Sequence, residues 1–324
     1  MKITKVIGTI LGSAIGDALG APLEIYTKEF IAENFPNFKE NGVYVDCLPD
    51  SSRKKDGHQK GQWTDDTQLM LPMLAAYLED ECFNPNTIAN KYLTEFLKGP
   101  RGWGRSTIKA VENLAISESW MHSADHGLGI GNGAAMKAAP LGIYLGLAFE
   151  KNKLNLINDA INTIINVAKI THKKEGIIGG AIQAMAIACV IQNKEDILIN
   201  YIGKLESDYF NSSLYTDKIK TLMDLGSIEE ICEAGGCSSK AFDSVPSVIA
   251  SYLLHDKHRP FDSVFDIIKC GGDTDTTAAM LGSLIGAKYG LAALPDNLLN
   301  ELEDSQKIIR LANLFADKLG VHDL

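Results

Sequence analysis

The chain has almost none of the apolar–polar alternation that marks a half-buried strand, and only 42–48 carries it. A sandwich or barrel is thereby excluded as the main frame. It also lacks cysteine pairs. Cys47, Cys82, Cys189, Cys232, Cys237 and Cys270 form no CxxC and have no histidines at zinc-finger spacing, so they read as reduced thiols of a cytoplasmic protein, with Cys189 inside an apolar run. A basic surplus is missing too. With 31 Lys and Arg against 41 Asp and Glu, the net charge of −10 makes the protein a poor non-specific binder of nucleic acid or an anionic membrane, and a nucleic-acid partner is not expected. No Pro/Ser/Gly-rich linker and no solenoid-length repeat interrupts the chain.

What is present is helical periodicity over a length of 324 residues with 45% hydrophobic content, enough for a substantial core. Leu69, Leu71, Met73, Leu74, Tyr77 and Leu78 make one apolar face, and 177–191 is apolar nearly all round, which predicts a central helix. Pro295-Asp296 and Ser305 mark the starts of two late helices, and Gly320 the end of the second. The fold class expected is all-α. The polar stretch 50–60 reads as a mobile loop and 193–239 as a peripheral helical insertion.

Lys2 and Lys5 ahead of an apolar run resemble a secretory signal or a membrane span. Against this, Gly8, Gly12, Gly16 and Gly20 recur every four residues and clear one helical face for close packing of another backbone. Asp17 on the same segment would be costly in lipid. No membrane association is expected.

Four short words carry chemistry. Thr64-Asp65-Asp66-Thr67 and Gly271-Gly272-Asp273-Thr274-Asp275-Thr276 each stand ahead of an apolar helix and gather hard oxygen ligands suited to Mg²⁺, Mn²⁺ or Ca²⁺. The competing explanation is helix capping, which Asp and Thr favour. One cap suffices per helix, however, and four carboxylates meeting at one place would repel strongly without cations. Gly16-Asp17-Ala18-Leu19-Gly20-Ala21-Pro22-Leu23-Glu24 adds an extra carboxylate. Gly131-Asn132-Gly133-Ala134-Ala135-Met136 could turn backbone N–H groups toward a diphosphate, or be a tight turn with Asn132 left-handed. His172 is either a ligand contact or a hydrogen-bonded structural residue. Arg101-Gly102-Trp103-Gly104 either presents a guanidinium and a flat aromatic to a ligand or places a core Trp beside a turn. Arg53, Lys54 and Lys55 form a basic cluster running into the first Asp word, and 51–60 is either a solvated surface loop, as its composition suggests, or a mobile lid or rim that attracts an anionic substrate or its protein carrier.

In order and spacing these words resemble the ADP-ribosylglycohydrolase family, over nearly the whole chain. The resemblance implies a single domain over 1–324, a compact orthogonal multi-helix bundle, and two Mg²⁺ or Mn²⁺ ions in an ADP-ribose cleft. Thr64, Asp65, Asp66, Asp273, Asp275 and Thr276 match its metal motifs, and Glu24 matches the acidic residue beside the distal ribose. Catalysis would fall to Glu24, Asp65, Asp66 and Asp275. Gly131, Asn132, Gly133, Met136 and His172 match substrate contacts, with Arg101 and Trp103 as further candidates. Lys137 stands where the family usually has Arg.

The implied reaction is metal-dependent hydrolysis at the anomeric carbon of the distal ribose, releasing ADP-ribose from a protein side chain, most often arginine. A cytoplasmic monomer acting on an ADP-ribosylated protein is expected. Other ADP-ribose linkages (serine, O-acetyl-ADP-ribose, a modified base), a two-metal nucleotide phosphohydrolase and a non-catalytic ADP-ribose binder are the alternatives.

Overall fold

A computed structural model describes residues 1–117, 119–125 and 129–322. Four helices position the site: α1 (Ile3–Gly20), α2 (Asp65–Asp80), α3 (Lys174–Ile191) and α4 (Thr274–Tyr289). The glycine face of α1 lies directly on α4. A Cβ built on Gly12 would stand 2.2 Å from the Gly282 carbonyl oxygen, and one on Gly16 would stand 2.2 Å from that of Ala278. No side chain fits there, so the four-residue glycine spacing brings together two helices from opposite ends of the chain. Both are buried over most of their length.

The all-round apolar helix α3 is the central helix expected, buried from Gly179 to Ile191. Segments Ile3–Leu23 and Lys174–Ile191 are long and apolar enough to cross a membrane, and both are packed inside this fold. One continuous apolar core runs from Val6 to Val321.

The described residues form helices and no strand, with only two isolated bridges between Thr27 and Gly271 and between Gly131 and Lys240. The architecture is therefore all-α, as expected. The strand-like stretch 42–48 is irregular instead. Tyr44 and Cys47 each reach the core as separate anchors, so their apolar spacing reflects plugging and not a pleated face. The 193–239 stretch is helical, with Leu198–Phe210, Leu214–Met223 and Ile228–Gly235. The polar stretch 50–60 contains a short helix, Ser52–Lys55, that buries none of its residues.

Candidate functional site

The two Asp words sit at the N-termini of α2 and α4, and the fold brings these ends together. Asp65 and Asp66 occupy the first turn of α2, while Asp273 stands at the N-cap position of α4 with Asp275 in its first turn. Capping does not use them up: neither Thr64 nor Asp273 makes a side-chain cap hydrogen bond. The cap of α2 comes from another helix. Both carboxylate oxygens of Asp17, fully buried on α1, accept from the Thr64 backbone N–H at 2.9 and 3.1 Å, and Oδ2 accepts from the Thr67 N–H at 2.9 Å. The Thr64 and Thr67 hydroxyls add bonds of 2.7 and 2.6 Å. The sequence reading takes Asp17 only as an extra carboxylate. Its signal was a lone acid on an otherwise apolar, glycine-faced helix, which is tolerable only with partners.

Oxygens of Asp17, Asp66 and Asp275 lie within 4.8 Å of one another, and so do oxygens of Glu24, Asp273 and Asp275. Burial pushes Asp65 and Asp273 well above the usual carboxylate range, with Asp275 the next cause; it pushes Asp66 up likewise, with Asp17 next. Asp17 rises to about 6 through burial and the nearby Asp275 charge, against the Thr67 and Thr64 hydrogen bonds. These carboxylates are short of positive charge. Asp66 Oδ1 is also buried without a hydrogen-bond partner among the described residues, an unused acceptor inside an all-oxygen donor set. The residues fit a hard divalent cation.

Thr276 faces the same cluster: its hydroxyl lies 3.5 Å from Asp66 Oδ2 and 4.0 Å from the Met136 sulfur. Thr64 reaches Asp275 Oδ2 at 3.4 Å. Glu24 follows the short turn after α1 and is partly exposed, and burial followed by the Asp275 charge pushes it up to about 7 although Arg53 opposes this. Gly271 and Gly272 turn the chain into α4 with φ of 77° and 84°, where Cβ atoms would strike the Tyr26 and Cys237 carbonyls at 2.5 and 2.3 Å.

The remaining candidate contacts surround this cluster. Asn132 is not left-handed; its buried amide donates to Asp273 Oδ2 at 2.7 Å and to Ser244 Oγ at 3.1 Å, so it braces the second Asp word. His172 lies against the same loop, since a Cβ on Gly133 would meet its ring at 2.8 Å and one on Gly131 at 3.6 Å. Its Nδ1 pairs with Thr171 Oγ1 at 2.8 Å, and burial followed by the Lys137 charge lowers it to about 3, leaving a neutral ring. Trp103 is a core residue: it is buried and its indole donates to Gln68 Oε1 at 2.7 Å. Arg101 lies 4.0 Å over the Trp63 ring and bonds Glu303 at 2.5 Å. Trp103 is thus packed inside the fold while Arg101 and Gly102 also line the cavity beside Arg53, and Gln68, which accepts from both the Arg101 N–H and the Trp103 indole, is the organiser that sequence did not reveal.

Arg53 departs furthest from expectation. Its Nη2 donates to Glu24 Oε2 and, at 2.7 Å, to Asp275 Oδ2, so this guanidinium belongs to the site and not to a solvated rim. Lys54 and Lys55 remain exposed. In front of Arg53 a cavity of about 470 Å³ opens, lined among others by Glu24, His58, Thr64 and Arg101. Burial, then Arg53, lowers His58 to about 4.

Paired Asp words on two helix N-termini, an acid at the cavity mouth and a glycine loop over a neutral His meet at one place, and the acidic groups among them could hold a metal ion. The sequence model of the ADP-ribosylglycohydrolase family matches residues 2–323, and the chain belongs to that family. It is 31% identical to an uncharacterized protein of Archaeoglobus fulgidus over 317 residues, covering 95% of this chain and 94% of that protein. It is 27% identical to ADP-ribosylhydrolase ARH3 of Xenopus tropicalis, over 91% and 90% of the two chains. Human ADP-ribosylhydrolase ARH3 is 25% identical over 96% and 92%. In fold it is similar to a solved ADP-ribosylglycohydrolase-related protein complex, with a TM-score of 0.76, 23% identity and 98% coverage of each chain. The chain is thus a glycosyl hydrolase by family, and the family implies ADP-ribosylated substrates with ADP-ribose as product.

Proposed function

We propose that this protein is a divalent-cation-dependent hydrolase that removes ADP-ribose from modified protein side chains. The observation that carries the metal dependence is the unpartnered, buried Asp66 Oδ1 within a cluster of hard oxygens. Thr64, Asp65, Asp66, Asp273, Asp275 and Thr276 would hold two Mg²⁺ or Mn²⁺ ions, which when bound orient ribose hydroxyls and acidify water. Glu24, raised to about 7 and placed at the cavity mouth, can hold a proton at neutral pH and deliver it to the leaving group. The carboxylates left ionised face the positive charge that develops at the anomeric carbon as the bond breaks. The neutral His172 ring beside Gly131 and Gly133 offers a hydrogen bond without charge, and the exposed side of the glycine loop would receive the ADP part.

For the acceptor, ADP-ribosylarginine is the first reading, because Glu24 and Asp275 already grip a guanidinium, that of Arg53. A hydroxyl-linked acceptor such as serine is the second, because Arg53 and Arg101 both line the mouth and would repel an arriving cation. Incubation with defined arginine-, serine-, O-acetyl- and base-linked ADP-ribose, with and without Mg²⁺, tests both through the mass of the released product. Free ADP-ribose from one linkage, only with metal, is expected. Release of phosphate selects a nucleotide phosphohydrolase, and no release from any substrate leaves a non-catalytic binder.

A further inference from the structure

The segment carrying Arg53 is tied down at both ends and almost nowhere between. Ser51 N–H donates to the Leu48 carbonyl at 3.0 Å at the entry. At the exit Gly61 accepts from Glu303 N–H at 2.9 Å, and a Cβ there would meet the Glu301 carbonyl oxygen at 2.3 Å. In the middle, the Ser52–Lys55 helix buries none of its residues, and Gly57 has φ +81° with open space beside it. Arg53 is the inward tether of that helix. Its side chain is 16% exposed and packs so closely on Gly102 that a Cβ there would stand 2.5 Å from Nη1.

The tether uses the carboxylates that a cation would need. Glu24 and Asp275, which it bonds, belong with Asp273 to a set whose oxygens converge within 4.8 Å. A guanidinium lying against Glu24 Oε2 and Asp275 Oδ2 and a divalent ion ligated by the same oxygens would exclude each other, both by contact and by charge. We propose that Arg53 is a cationic latch: its guanidinium holds the 51–60 segment shut over Glu24 and Asp275, and it gives way when a divalent cation takes those carboxylates. Metal loading then opens the cavity mouth. The latch rests on the reading of the Asp cluster as a cation site.

Two measurements on the full chain test it without recourse to turnover. In the first, metal-stripped protein is titrated with Mn²⁺ by calorimetry. Arg53→Ala binds at least one ion about tenfold more tightly than the parent, a gain of about 1.4 kcal/mol. Lys54→Ala, which removes a neighbouring exposed charge, stays within about twofold of the parent, a difference of about 0.4 kcal/mol. In the second, the unsubstituted protein is treated briefly with trypsin and cleavage after Lys54 and Lys55 is followed by mass. Mn²⁺ accelerates that cleavage in the parent, whereas Arg53→Ala is cut quickly with or without it. Equal or weaker Mn²⁺ binding by Arg53→Ala, or cleavage that Mn²⁺ leaves unchanged or slows, overturns the latch alone. Failure of every form to bind Mn²⁺ removes the cation site, and the latch with it.

Discussion

Asp17→Asn separates a residue that positions the site from one that merely packs. The carboxylate accepts from four donors, the N–H and hydroxyl groups of Thr64 and Thr67, and so fixes the turn that aims Asp65 and Asp66. An amide has one accepting oxygen. If that oxygen takes the place of Oδ2, it keeps the Thr67 N–H and hydroxyl bonds and the 3.1 Å bond from Thr64 N–H, all now to a neutral acceptor. The amide nitrogen then faces the Thr64 N–H at 2.9 Å, donor against donor, and Thr64 Oγ1, which must accept and send its own proton toward Asp275 Oδ2, 3.4 Å away. Hydrogen bonds to a charged acceptor contribute about 1.5–3 kcal/mol and neutral ones about 0.5–1.5, so the exchange costs about 1 kcal/mol per bond retained. Relief of repulsion against Asp275 offsets part of that, and the net loss of stability should stay below about 2–3 kcal/mol. Binding suffers more. Loss of a group that orients a metal ligand lowers affinity about 10–100-fold. Urea melts in chelator and Mn²⁺ calorimetry read the two effects separately. Asp17→Ala, which leaves two buried backbone N–H groups without an acceptor, should cost about 2–6 kcal/mol. A folded Asp17→Asn protein with parental Mn²⁺ affinity would refute the positioning role, and loss of all measurable binding would move Asp17 into the ligand set itself.

Chelation with EDTA should abolish release of ADP-ribose, and Mg²⁺ or Mn²⁺ should restore it; full turnover after exhaustive chelation removes the metal dependence. Asp66→Asn should keep the parental melting temperature or exceed it in chelator, since burial already disfavours the charged carboxylate that the neutral amide replaces, yet lose Mn²⁺ binding in calorimetry. Gly16→Ala should cost about 3 kcal/mol or more by urea titration, because its Cβ would stand 2.2 Å from the Ala278 carbonyl oxygen. Gly104→Ala, with nothing within 4 Å, is the control expected to stay within about 0.5 kcal/mol. Lys137, lowered to about 7 chiefly by burial, carries a charge that folding disfavours. Between pH 7 and 10.5 the unfolded chain therefore binds more protons than the folded one, and stability attributable to this group rises with pH across that window. Lys137→Met should accordingly be more stable than the parent at pH 6 in metal-free buffer, with the difference narrowing toward pH 10; a gap that widens with pH contradicts this.

The sequence exposes features that repeat or cluster and hides those made by a single distant partner. The glycine face of α1 is legible because only a close backbone approach requires Gly every four residues, and α4 supplies that approach. The two Asp words are legible because they hold more carboxylates than capping can use. Asp17 as the cap of α2 is not, since nothing in 16–24 says which N–H groups lie opposite. Asn132 looks like a turn residue because its local chemistry suits one, yet a contact 141 positions away decides its role. The partners of Trp103 and Arg101 are hidden for the same reason: Gln68 and Glu303 bond them from elsewhere in the chain. Arg53 is concealed by its neighbours, because Lys54, Lys55 and Asp56 give the segment the composition of a solvated loop while one side chain turns inward.

The charge balance of the site ties these residues together. Asp17, Asp65, Asp66, Asp273 and Asp275 are buried, and Glu24 is partly so. Of the cations described near them, Arg53 touches two carboxylates, and Lys137 acts on Asp65 and Asp66 through the field while burial weakens its own charge. The N-termini of α2 and α4 add about half a unit of positive charge each. That leaves a negative surplus, which the cluster can relieve either by taking up protons, as the raised carboxylates indicate, or by taking up cations. Protons and Arg53 stabilise one state of the site; divalent ions would replace both in the other. An acid such as Glu24, sharing Arg53 with Asp275, stands at the junction of the two states, so release of the guanidinium and gain of a cation should alter its proton affinity in the same step that opens the mouth to substrate.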